Sequence, residues 1–300
     1  MFTRITNSLL TDNLLQALDQ TQQSQNNALT AVETGRRVNQ PSDDPVAASL
    51  SASNQSQAAQ VTQFLQNINS VSGAMQVGDS ALSSAVTLLN RAVSLGTEGA
   101  NGALSNTQRA NISQEITQLQ QQMIDIGNTN FNGVYIFAGT ANGSPAFTAD
   151  GTQPDGVRYN GNTSVNQVQI AAGASVAVNI PGSQVFQNAG GSVFQALQDL
   201  QNALTSNNSA AAGTAVTKLN TSLTALGEQR VFYGSTINRL NTTNNFLKNE
   251  QSDLTKEQTQ LVGADLAGAI TQLSSAETAR QAIMAAGAQI NKLSLLNYLN

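Results

Sequence analysis

Two pairs of aspartates stand where this sequence could do chemistry. Asp43 and Asp44 are adjacent and held between prolines in GRRVNQPSDDPVAA (35–48), and Asp150 and Asp155 lie in a Gly/Pro-rich segment. Neighbouring carboxylates could ligate a metal or divide general acid and base roles. A hard cation, however, needs about six or more converging oxygens, and adjacent residues on an extended chain point to opposite sides. Glycoside hydrolysis would add the need for a second, well-placed carboxylate and an aromatic platform for the sugar. Asp150 and Asp155 are of the type and setting that build turns.

Composition removes most other chemistry. The 300 residues include no Cys, no His and no Trp. No Cys/His zinc site, Cys nucleophile or Ser-His-Asp triad can therefore be built. Disulfides are excluded as well, which suits a chain that is threaded unfolded through a channel. No catalytic residue, metal or cofactor is expected. The net charge of -5 argues against nucleic acid as a partner. The N-terminus, MFTRITNSLLTDNLLQALDQ, lacks the unbroken apolar core of a cleaved signal peptide. No run approaches the ~20 apolar residues of a membrane span, so no membrane insertion is expected.

The elements around Asp43 and Asp44 suggest a joint. Gly35 can end a helix in the left-handed conformation. Pro41 is expected to keep the linker extended, Asp44 is placed as an N-cap, and Pro45 suits the first helical position. Asp43 adds negative charge at the positive end of that helix. Arg36 and Arg37 are expected to pair with acidic groups on a neighbouring segment or subunit.

Long rods flank this joint. Leu219, Leu226, Tyr233, Leu240, Leu247, Leu254 and Leu261 recur at intervals of seven, a coiled-coil seam. Val61, Ile68, Met75, Leu82 and Leu89 form a second seam, and Ile112, Ile116, Leu119, Met123 and Ile126 a third. Met75 and Met123 thus read as packing residues. Beyond Val262 the register moves by one residue, through Ala269, Ala276, Ile283 and Ile290, and the apolar companions drift from Leu266 and Leu273 to Ala279, Ala286 and Leu293. GADLAG (263–268) is expected to lie on this helical stripe. Ile5, Leu9, Leu14 and Leu18 make a shorter stripe at the other end. Stripes this sparse would be mostly unfolded unless they meet each other or a neighbour. Between the helical halves, Asn132-Gly133, VRYNG (157–161) and the alternation Val176, Val178, Ile180 before Pro181 predict a small β-rich unit over roughly 131–187. The expected fold is mainly α: a long coiled-coil-like helical bundle formed by the N- and C-terminal halves, with a small β-rich inserted domain.

Taken together, GRRVNQPSDDPVAA, IGNTNFNGVYIFAGT (126–140) and the ending AETARQAIMAAGAQINKLSLLNYL (276–299) resemble the bacterial flagellin superfamily. The resemblance covers roughly 1–142 and 190–300. YIFAGT and SLLNYL make it greatest to the members at the junction of flagellar hook and filament. It implies a noncatalytic axial component, exported without a cleaved signal and assembled outside the cell. Terminal helices would line an inner tube (1–44 plus 255–300, including the joint). A helical rod would comprise 45–142 plus 188–254, and the β-rich outer domain 143–187. The partners implied are a further hook-associated junction protein, flagellin, a flagellar export chaperone and copies of the chain itself. Residues 1–40 and 262–300 would be largely disordered in the monomer and would order on assembly. The expected assembly interface comprises Ile5, Leu9, Leu14, Leu18, Arg36, Arg37, Ile283, Ile290, Leu293 and Leu296, and the expected joint Gly35, Pro41, Asp43, Asp44 and Pro45. Alternatives are a short flagellin forming the filament itself, a secreted carboxylate-dependent enzyme, and a host-surface binding module.

Overall fold

The structure is a computed structural model that describes the backbone of residues 2–188 and 191–299 and the side chains of 9–188 and 191–289. Three helices come first: α1 (Phe2–Thr34), α2 (Pro45–Gly99) and α3 (Asn106–Gly127). Three hairpins follow, β1 (Asn130–Phe131) with β2 (Val134–Tyr135), β3 (Phe147–Ala149) with β4 (Val157–Tyr159), and β5 (Gln167–Ala171) with β6 (Ala174–Ala177). Next come the short α4 (Gly182–Phe186), a last hairpin of β7 (Gln187–Asn188) and β8 (Gly191–Ser192), and the helices α5 (Val193–Thr205), α6 (Ser209–Val262) and α7 (Leu266–Leu299). The fold is mainly α with a small strand-containing insert, as the sequence predicts. It divides into two compact units, one of residues 61–249 and one of residues 1–60 with 250–300.

In the larger unit the heptad residues do what their spacing requires. Steps of seven keep one helix face inward, and Leu219, Leu226, Tyr233, Leu240 and Leu247 are buried on α6, as are Val61, Ile68, Met75, Leu82 and Leu89 on α2. Tyr233 is much larger than the leucines it replaces in the series, and space is made by Gly78, where an added Cβ would sit 2.4 Å from the ring. Burial raises the Tyr233 phenol far above its ordinary pKa. One helical turn before Tyr233, Arg230 grips Asp79 with two donors at 2.9 and 3.3 Å. Helix α3 starts with a reciprocal capping box between Ser105 and Gln108 and packs on α5. The buried Arg109 closes this end: its Nε donates to Gly99 O, its Nη2 to Asn101 O, and its Nη1 to the Asn207 side chain.

The insert has an unusual core. Among the described residues its strands form only two-stranded antiparallel pairs, and such isolated hairpins are marginal in water. They are held by aromatic rings: Phe147 lies 5.1 Å from Tyr159, 5.2 Å from Phe194 and 5.5 Å from Phe186, which meets Phe137 edge-on. Asn132 and Gly133, with φ of 52° and 86°, form the tight turn between β1 and β2 that the Asn-Gly pair predicts. After Pro181 the chain turns into α4.

Candidate assembly site at two facing helix breaks

The smaller unit contains the breaks that follow α1 and α6. After α1, Gly35 takes φ 66° and donates its N–H to Ala31 O at 3.0 Å. The break after α6 answers it. Arg37 N donates to Val262 O at 2.7 Å, Ala264 N donates to Gly35 O at 3.0 Å, and Arg36 and Gly263 form an antiparallel bridge. Beneath this stitch Val38, Ala47 and Val262 are buried together, with Ala48 and Leu261 against them.

The acidic pair is spent on the same loop. Asp43 Oδ2 accepts the N–H groups of Asn39 and Gln40, both at 2.9 Å, and the Gln40 and Asn39 amides hold its pKa below the ordinary carboxylate value. Asp44 Oδ1 accepts Ala47 N at 3.0 Å, an N-cap on α2, while Oδ2 receives both terminal nitrogens of Arg37 at 3.2 Å. The Ala47 amide is the main cause of its lowered pKa, with Arg37 adding to it. Two carboxylates with separate partners do not converge on an ion, and among the described residues no group of three or more acidic side chains could hold a metal.

The geometry departs from the sequence reading in three respects. Pro41 lies in a turn, closed by Asp43 N to Gln40 O at 3.0 Å, instead of an extended linker, because its fixed φ equally suits the second position of a turn. The acid that meets Arg37 belongs to its own stretch, and Arg37 Nη2 also donates to Leu261 O at 3.1 Å. Arg36 is exposed and contributes its backbone to the bridge. GADLAG does not lie on a continuous helix. The chain leaves helical geometry at Gly263, and Asp265 Oδ1 accepts Gly268 N at 3.2 Å to cap α7. The one-residue shift of register at Val262 is the trace of this break.

Helices α1 and α7 pack on each other, and their seam mixes small and polar residues with a few large apolar ones. On α1 it runs through Leu14, Ala17, Leu18, Thr21, Gln25 and Ala28, and on α7 through Ala269, Leu273, Ala276, Arg280, Ile283 and Gly287. Gly287 accepts the tip of Leu14, since an added Cβ there would lie 2.8 Å from it. Arg280 Nη1 donates to Gln25 Oε1 at 3.2 Å. Among the described residues the predicted drift of the α7 stripe does not occur: Ala279 and Ala286 are exposed, and the seam continues through Arg280 and Gly287, whose residue types disguise their position.

Of the predicted interface residues, Leu14, Leu18 and Ile283 are thus half-buried in this intramolecular seam, whereas Leu9 is 61% exposed. The side chains of Ile5, Ile290, Leu293 and Leu296 lie outside the described residues. The structure adds large apolar residues that the sequence reading missed: Leu15, Leu29, Ile270 and Met284 are exposed beside the seam. Their signal was present as apolar positions that fit neither stripe. Asp150 and Asp155 flank the β3–β4 turn. Asp150 accepts Thr152 Oγ1 at 2.6 Å and pairs with Arg158 at 3.1 Å, and Asp155 accepts Gln187 Nε2 at 2.9 Å.

Two family descriptions match the chain, the bacterial flagellin N-terminal helical region over residues 5–142 and the bacterial flagellin C-terminal helical region over residues 215–299. The chain belongs to the bacterial flagellin family. It is 30% identical to flagellar hook-associated protein 3 of Salmonella typhimurium over 158 residues, which cover 52% of this chain and 48% of that one. Flagellin A of Helicobacter pylori is 28% identical over 175 residues, 57% of this chain and 34% of the relative. The match therefore spans about half or less of these relatives' lengths. The fold is shared with FlgL of Xanthomonas campestris (TM-score 0.61, 18% identity, 67% of this chain and 98% of that one). It is shared too with the flagellar junction protein FlgL of Legionella pneumophila (TM-score 0.60, 15% identity, 71% and 100%). The family is one of flagellar structural proteins.

Proposed function

We propose that this chain is a noncatalytic structural component of the bacterial flagellum that joins hook to filament outside the cell. The observation that carries the reading is the α1/α7 pair: its seam is filled largely by small and polar residues, while Leu9, Leu15, Leu29, Ile270 and Met284 stand exposed beside it. Apolar residues left outside a closed seam are stabilised when a second surface covers them, and a polymer supplies that surface as copies of the chain. That two relatives are named flagellar hook-associated protein 3 supports a position next to the hook. In this reading residues 1–44 plus 255–300 form the inner layer, 45–142 plus 188–254 the rod and 143–187 the outer domain. Ile5, Leu9, Ile290, Leu293 and Leu296 contact neighbouring subunits. Adjacent partners are a further hook-associated protein on one side and flagellin on the other, and an export chaperone holds the C-terminal segment before secretion.

Electron microscopy of a strain lacking the chain tests this. Hooks without filaments, with flagellin shed into the medium, are expected; normal filaments would contradict it. A second reading, a short flagellin that forms the filament itself, draws on the match to Flagellin A. Purified chain that polymerises alone into long helical filaments would favour it.

A further inference from the structure

With no Cys, His or Trp in the chain, the thioethers are the most readily oxidised side chains it offers to a two-electron oxidant such as a peroxide. The sequence has four of them. Met75 and Met123 are 0% exposed in the core of the larger unit, and Met1 lies outside the described residues. Met284 is different: it sits on α7 and is 59% exposed. Two heptads, about four helical turns, earlier on the same helix lies Ile270, 56% exposed. The two therefore share one flank beside the α1/α7 seam.

We infer that Met284 is an oxidation site through which peroxide-class oxidants block assembly. This rests on the proposed function, in which that flank meets a neighbouring copy. A lone pair on Sδ attacks one peroxide oxygen, the O–O bond breaks, a sulfur–oxygen bond forms, and the other oxygen leaves as water after proton transfer. Sulfur is oxidised by two electrons and the peroxide is reduced by two. The product is a polar sulfoxide where an apolar contact is needed. Covering it costs the desolvation of that oxygen unless the neighbour donates a hydrogen bond. Burial inside the polymer shields the same sulfur, so the chain is sensitive before incorporation and protected after it. Sulfoxide reduction restores the thioether.

The test treats the purified soluble chain and the same chain incorporated in isolated flagella with hydrogen peroxide and follows the peptides bearing Met284, Met75 and Met123 by mass spectrometry. In the soluble chain Met284 should gain one oxygen at least about tenfold faster than Met75 and Met123, because exposure governs thioether oxidation. In the incorporated chain that rate should fall by a similar factor. The oxidised chain and Met284→Gln should both incorporate about tenfold less, whereas Met284→Leu should incorporate normally with or without peroxide. Oxidation of Met284 no faster than that of the buried methionines, or normal incorporation of Met284→Gln, overturns the inference. Ile270→Asp separates the two levels. If it abolishes incorporation while Met284→Gln does not, only the oxidation site is lost; if neither matters, the assembly reading falls as well.

Discussion

The two units of this chain build helix pairs in opposite ways. In the larger one, Leu219, Leu226, Tyr233 and Leu240 are almost completely buried on α6, and Phe137, Phe147, Tyr159, Phe186 and Phe194 are gathered into one cluster. In the α1/α7 pair of the smaller one, Ala28, Ala269, Ala276 and Gly287 occupy the fully buried positions, Leu14, Leu18 and Leu273 are only half-buried, and Leu9, Leu15 and Leu29 are exposed. Large residues inside a seam make it self-sufficient, since each fully buried Leu contributes roughly 1.5–3 kcal/mol. Small residues inside, with large ones outside, make a pair that holds its shape but needs a neighbour to gain comparable burial. On the proposed reading, the difference separates a part whose seams are filled within one chain from a part that a neighbouring copy completes.

The contrast can be broken most sharply from the self-sufficient side. Leu240→Ala should destabilise the larger unit by about 3 kcal/mol through a cavity in a filled seam, measured by denaturant unfolding. Ala276→Gly, which removes one methyl from the small seam, should cost only about 1 kcal/mol. Equal costs would erase the distinction. Gly78→Ala should destabilise by about 2 kcal/mol, because the new Cβ drives Tyr233 off its position, and a smaller partner, as in Tyr233→Leu, should recover part of that loss.

The smallest expected effect is one of pH and belongs to the joint. Asp43 and Asp44 have folded pKa values below the ordinary 3.8. Their contribution to the loop is thus fully present above that value and is lost as pH falls through the lower folded values. Protease cleavage within 35–45 should accelerate only in that acid window, and Asp44→Asn should weaken the pH dependence. An acceleration centred near pH 7 would show that other groups hold the joint.

The sequence made the rods legible because steps of seven place Leu219 through Leu247 on one face whatever surrounds them. The aromatic cluster was less so: Phe137, Phe147, Phe186 and Phe194 are far apart in sequence, and nothing local announces that they meet. The break at Gly263 showed only as a one-residue shift, since Leu261, Val262, Leu266 and Ala269 continue an apolar pattern across it. Gly263 with Asp265 as N-cap was the available signal. The α1/α7 seam was hardest to read because hydrophobic contrast points the wrong way there. Arg280 and Gly287 lie inside, while Leu29 and Met284 lie outside.

Hydrogen exchange on the soluble chain and on its assembled form tests the central claim most directly. Amides of α6 between residues 219 and 247 should be strongly protected in both states. Those of α1 and α7 should exchange quickly in the soluble chain and slow by about a hundredfold or more on assembly, as expected for segments whose opening free energy rises by a few kcal/mol. Terminal helices already as protected in the isolated chain as α6 would contradict the account.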